Sequence, residues 1–126
     1  LRDLKGKTVL SDPWTTYFLA AEFGFYGITI PRGHSSAMVP VDARRGAMRP
    51  LLAGELSDAR AELLLSRYPC DYILLNKRFA ARRGLDRFDF IPDDYSPGSY
   101  EYMIAREGLD LVHETENLAI FRVRRD

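Results

Sequence analysis

The chain has 126 residues, 46% apolar and 29% charged, enough for one domain with a real core and too short for two of ordinary size. Its 18 Lys and Arg balance its 18 Asp and Glu, and a formal charge of zero argues against nucleic acid as a partner, because phosphate is met by a basic excess. The single cysteine, Cys70, excludes a disulfide framework and a cysteine-built zinc site, and no run of about 18 apolar residues offers a membrane span.

Leu1 to Lys7 reads as a connecting segment entering a domain. With no Met at its start, the chain is expected to be a single α/β domain, residues 1–126, excised from a longer protein. Thr8-Val9-Leu10 is β-branched and apolar, the composition of a short buried strand. Asp12 is a favoured N-cap, and Pro13 suits the first helical position, where its missing N–H costs nothing. The helix is predicted over Pro13 to Phe23, with Trp14, Tyr17, Phe18, Ala21 and Phe23 as its apolar positions and Gly24 closing it. Phe25 to Ile30, ended by Pro31, is a second strand, so the pair with the intervening helix makes a right-handed parallel βαβ unit.

Arg32 to Asp42 is rich in Gly, Pro and hydroxyl residues without a period and reads as a long loop; Ala43 to Gly54 holds a helical turn or two. The clearest helix begins at the Ser57 cap, runs to Tyr68 and is stopped by Pro69, with Ala59, Leu63, Leu64 and Tyr68 as its expected buried stripe. Cys70 to Leu75, bounded by Asn76, is a strand covered on both faces, and Cys70 itself reads as a small buried hydrophobe. Lys77 to Gly84 is basic and weakly helical, and Asp86 to Ser99 is a surface excursion pinned by its aromatics. Ser99 to Glu107 is a short helix closed by Gly108, and Leu109–Glu114 with Leu118–Arg124 forms an antiparallel hairpin. The predicted fold class is therefore α/β: a Rossmann-like three-layer sandwich, its sheet mostly parallel, with a C-terminal antiparallel β-hairpin.

If the first two strands are parallel, the Ser11-to-Thr16 corner and the Arg32-to-Ser36 loop emerge at one carboxyl edge. That edge carries orphan backbone N–H groups and the positive end of a helix dipole, and open α/β folds bind ligands there. Asp12, Thr15, Arg32, His34 and Ser35 are accordingly the candidate ligand-binding residues. A carboxylate beside a histidine can orient a general base, but Asp12 is equally explained as a helix cap and His34 as a solvated loop residue. No catalytic residue is assigned. The two histidines, His34 and His113, lie far apart without a metal-ligand pattern, so no metal is expected; no Gly-x-Gly-x-x-Gly or phosphate-loop motif implies a cofactor, and none is expected. The pairs Arg44/Arg45, Arg82/Arg83 and Arg124/Arg125 suit either phosphate or ordinary solvated surface, and Tyr95, Tyr100 and Tyr102 are candidates for an exposed sugar- or partner-binding surface.

Taken together, Thr8-Val9-Leu10-Ser11-Asp12-Pro13, Ile30-Pro31-Arg32-Gly33-His34, Cys70-Asp71-Tyr72-Ile73-Leu74-Leu75-Asn76 and the ending Leu109 to Val123 carry a resemblance that spans nearly the whole chain. The sequence resembles the soluble, extracytoplasmic C-terminal domain of prokaryotic multi-spanning membrane glycosyltransferases of the GT-C class, relatives of protein mannosyltransferases and aminoarabinose transferases. The resemblance implies a non-catalytic accessory domain beside the membrane, since in that class the catalytic carboxylates lie in loops between membrane helices. It implies as partners the transmembrane part of the parent protein and a polyprenyl-phosphate-linked sugar or its acceptor. The alternative from the residues alone is a stand-alone small α/β enzyme, or a phosphate- or sugar-ligand binder, that uses Asp12, His34 and Ser35 at the carboxyl edge.

Overall fold

The computed structural model describes residues 2–28, 41–81 and 94–124. A 3-10 turn at Arg2–Leu4 leads into β1, Thr8–Leu10, and then directly into helix α1, Pro13–Phe23. Both ends of α1 form as expected. Asp12, in extended conformation, accepts the Thr15 N–H at the start, and Gly24, at φ 71°, donates its N–H to the Ala20 carbonyl at the end. The second strand, β2, is confined to Tyr26–Gly27 among the described residues, shorter than expected, and pairs parallel with β1 through Thr8 opposite Tyr26 and Val9 opposite Gly27. Thr29 and Ile30 lie outside the described residues.

Helix α2, Val41–Leu52, starts two residues earlier than the loop reading allowed. It stops before Gly54, whose φ of 77° requires the left-handed region; a Cβ there would also lie 3.0 Å from the Tyr102 side chain, so two constraints select glycine. Helix α3, Asp58–Arg67, is capped by Ser57 as expected, but of its expected buried stripe only Leu64 and Tyr68 pack on the core. Ala61 is buried and Leu64, Leu65 and Tyr68 pack on the core, while Ala59 and Leu63 face outward. Three consecutive leucines at 63–65 satisfy a helical period in more than one phase, and packing chose the phase about one residue away.

Strand β3, Tyr72–Asn76, passes into the single-turn helix α4, Lys77–Ala80. Helix α5, Ser99–Ile104, precedes the hairpin of β4, Leu109–Glu114, and β5, Leu118–Val123; α5 ends at Ala105, before the Gly108 expected to close it. The five strands of the sheet lie in the order β2-β1-β3-β5-β4. The expected mostly parallel sheet is instead mixed: β1 is parallel to β2 and to β3, while β5 is antiparallel to both β3 and β4. The hairpin enters through its second strand, which places Ile73 opposite Phe121, Leu74 opposite Ile120 and Leu75 opposite Ala119. Ala119, Ile120 and Phe121 of β5 are buried there, whereas most of the outer strand β4 is exposed.

Successive strand residues point to opposite faces, and the core divides accordingly. Ile73, Leu75 and Phe121 join Met48, Leu51 and Leu52 of α2 and Met103 of α5 in the larger cluster. Leu74 and Ile120 join Leu4, Val9 and Phe25 in the smaller one, against Leu19, Ala20 and Phe23 of α1. Cys70 is fully buried in the larger cluster, as the sequence suggested. Of the apolar positions expected on α1, Trp14 and Phe23 pack against the core, while Tyr17 and Phe18 are the clearest departure. Pro13, Thr15 and Thr16 are the helix's buried residues, whereas Tyr17 is 43% and Phe18 64% exposed, their rings meeting edge to face at 5.4 Å.

Candidate functional site

The carboxyl ends of β1 and β3 lie side by side because the two strands are parallel neighbours with Leu10 opposite Ile73. Each strand ends in a residue whose side chain caps the next helix. Asp12 Oδ1 accepts the Thr15 N–H at 2.9 Å at the start of α1, and Asn76 Oδ1 accepts the Phe79 N–H at 3.2 Å at the start of α4. The Asn76 amide then donates from Nδ2 to Thr15 Oγ1 at 3.0 Å, tying the two helix starts together.

Tyr95 completes the arrangement from a distant part of the chain. Its hydroxyl donates to Asp12 Oδ2 at 2.7 Å and accepts the backbone N–H groups of Asp12 at 3.3 Å and Asn76 at 3.4 Å, with Ser11 Oγ 3.3 Å away. One phenol therefore satisfies the carboxylate and both strand-end amides. The cluster is closed to solvent: Asp12 has no exposed surface and Tyr95 only 3%. Burial raises the Asp12 carboxyl above its usual range, opposed by the hydrogen bonds from Thr15 and Tyr95, and the nearby Asp94 carboxylate pushes it further up. Burial, and then the Asp12 charge, push the Tyr95 phenol far above its ordinary value, so it remains a donor. The fully buried Thr16 hydroxyl has no hydrogen-bond partner among the described residues.

Chemically this arrangement holds backbone rather than substrate. A general base must reach the proton that it abstracts, and here both oxygens of Asp12 already accept, one from a backbone amide and one from a phenol. Of the candidate ligand-binding residues, the structure brings Asp12 and Thr15 into one cluster; Arg32, His34 and Ser35 lie outside the described residues. Tyr95 was expected on an exposed aromatic surface and is instead buried at the cluster's centre, because its hydroxyl is the partner that the strand-end groups need. Tyr100 and Tyr102 are half-buried: the Lys77 ammonium sits 5.2 Å from the Tyr100 ring, and Tyr102 donates to the Leu56 carbonyl at 2.7 Å beneath the Arg106 guanidinium. Of the arginine pairs, Arg44 and Arg45 fall on α2, and Arg124 pairs with Asp110 at 3.3 Å; Arg82, Arg83 and Arg125 are outside the described residues.

Sequence reasoning placed Asp12, named Tyr95 only on an exposed aromatic surface, and gave Asn76 no role beyond bounding a strand. Asn76 had a readable signal: an Asx residue at the end of an apolar strand, three positions before Phe79, repeats the device at Asp12. Tyr95 had none, since its partner Asp12 is 83 positions away.

No family model matches the sequence, and no curated protein matches it. In structure the chain is similar to the C-terminal globular domain of an oligosaccharyltransferase from Archaeoglobus fulgidus, with a TM-score of 0.51 and 8% sequence identity, over 97% of this chain and 86% of that one. At that identity the likeness is one of fold.

Proposed function

We propose that this chain is a non-catalytic accessory domain of a membrane glycosyltransferase, one Rossmann-like three-layer domain over residues 1–126. It supports or shapes the site where a polyprenyl-phosphate-linked sugar meets its acceptor, on the extracytoplasmic side, against the transmembrane part of its parent. The observation that carries this reading is the end-to-end fold likeness to the C-terminal globular domain of an oligosaccharyltransferase. The closed polar cluster agrees with it, because among the described residues the candidate carboxylate at the carboxyl edge, Asp12, is fully buried and doubly hydrogen-bonded. No helix among the described residues is long and apolar enough to cross a membrane.

The test is glycosyl transfer from a polyprenyl-phosphate-linked donor, measured for the whole gene product, for that product lacking residues 1–126, and for the isolated chain. The expected result is that deletion lowers or redirects transfer and that the isolated chain transfers nothing. Transfer by the isolated chain, or full transfer without it, overturns the proposal.

A further inference from the structure

Between α2 and α3 lies a shallow hollow of about 270 Å³, lined by Ala47, Leu56, Arg60, Leu63, Leu64 and Arg67. Leu63 is 70% exposed, the largest exposure of any large aliphatic side chain among the described residues. With 3.6 residues per turn, Arg60, Leu63, Leu64 and Arg67 share one side of α3, and Asp58 and Glu62 fall on the other. Asp58 is occupied there by Arg106 at 2.9 Å. Among the described residues Arg60 and Arg67 make no ion pair; the Arg67 guanidinium lies 5.7 Å from the Tyr68 ring. The opposite wall, α2, contributes Ala47.

We infer that this face of α3 docks on an anionic phospholipid surface. Leu63 enters the headgroup boundary, and Arg60 and Arg67, one on each side of it along the helix, meet lipid phosphates. The polar side chains of the hollow are two guanidiniums, which only donate. A phosphate-covered surface needs donors alone. An acidic peptide would also need an acceptor or an open backbone edge to fix its amides, and the α3 backbone is internally bonded. One leucine and two arginines make a weak contact, suited to orienting a domain already held beside a membrane rather than recruiting it. The inference rests on the accessory-domain reading for why a membrane is near, and its test is independent of transfer.

The test is co-flotation of the 126-residue chain with phosphatidylglycerol/phosphatidylcholine vesicles and with phosphatidylcholine vesicles alone. Binding is expected to rise with phosphatidylglycerol, fall with salt, and drop about fivefold per arginine removed in Arg60→Gln and in the Arg60→Gln/Arg67→Gln pair. Leu63→Ser also weakens it. Because all three side chains are exposed, the variants should keep the wild-type melting temperature. No binding to phosphatidylglycerol vesicles at low salt, wild-type binding by the double variant, or loss caused instead by Phe18→Ser on α1, overturns the inference. Vesicle binding that depends on Arg60 and Arg67, together with transfer that ignores the domain, would overturn only the accessory-domain reading.

Discussion

Helices α1 and α3 begin with the same device and use it to different ends. Each follows an extended residue whose side chain accepts the N–H of the third residue on, Asp12 from Thr15 at 2.9 Å and Ser57 from Arg60 at 3.3 Å. The Ser57 cap is exposed and touches nothing else of note. The Asp12 cap is buried, and the same carboxylate holds Tyr95, which in turn holds the amides of Asp12 and Asn76. A cap in water competes with water; a cap in the interior has no substitute, so losing it leaves orphaned polar groups. The two helices also invert their faces. In α1 Thr15 and Thr16 are inside and Tyr17 and Phe18 outside, and the Thr15 hydroxyl serves the polar cluster by accepting from the Asn76 amide.

The largest expected effect breaks the buried cap. Asp12→Ala removes the cap and leaves the Tyr95 hydroxyl without its acceptor, at a cost of about 3 kcal/mol in urea unfolding. Tyr95→Phe keeps the cap but strips the carboxylate and two strand-end amides of their shared partner, costing about 2 kcal/mol by the same measurement. Ser57→Ala should cost only about 0.5–1 kcal/mol, the low end for an exposed cap. If Ser57→Ala and Asp12→Ala cost the same, the contrast between the helices fails. Phe18→Ser, on the outward face, should change stability by less than about 0.5 kcal/mol.

Asp12→Asn sharpens the comparison through pH. The folded-state pKa of Asp12 is raised, so the stability that this group contributes is fully present below its unfolded value and is lost as pH rises through the folded value. The advantage of the wild type over Asp12→Asn should therefore be greatest in acid and shrink toward neutrality. Unfolding both proteins across that range checks it, and an advantage that grows toward neutral pH contradicts the burial argument.

Much of this was legible locally. The run Thr8-Val9-Leu10-Ser11-Asp12-Pro13 announced strand, cap and helix, and the apolar runs on either side of Thr115-Glu116-Asn117 announced the hairpin, because those signals lie within a few residues of what they govern. What escaped depends on distant partners. The order in which β5 enters the sheet is decided by side chains that it meets on β3, and the phase of α3 by which leucine finds the core. The position of Tyr95 depends on an acceptor 83 residues earlier. The α1 face was misread in part for a related reason: hydropathy ranks Thr below Tyr and Phe, but the Thr15 hydroxyl is inside where the Asn76 amide needs an acceptor.

The central claim is that the Asp12 cluster fastens an accessory domain and does no chemistry. Its most direct test is glycosyl transfer by the whole gene product carrying Asp12→Asn, with folding checked by melting temperature. The account predicts transfer within about twofold of the wild type. A loss of about a hundredfold or more in a stably folded variant, the size expected for removing a general base, would contradict it.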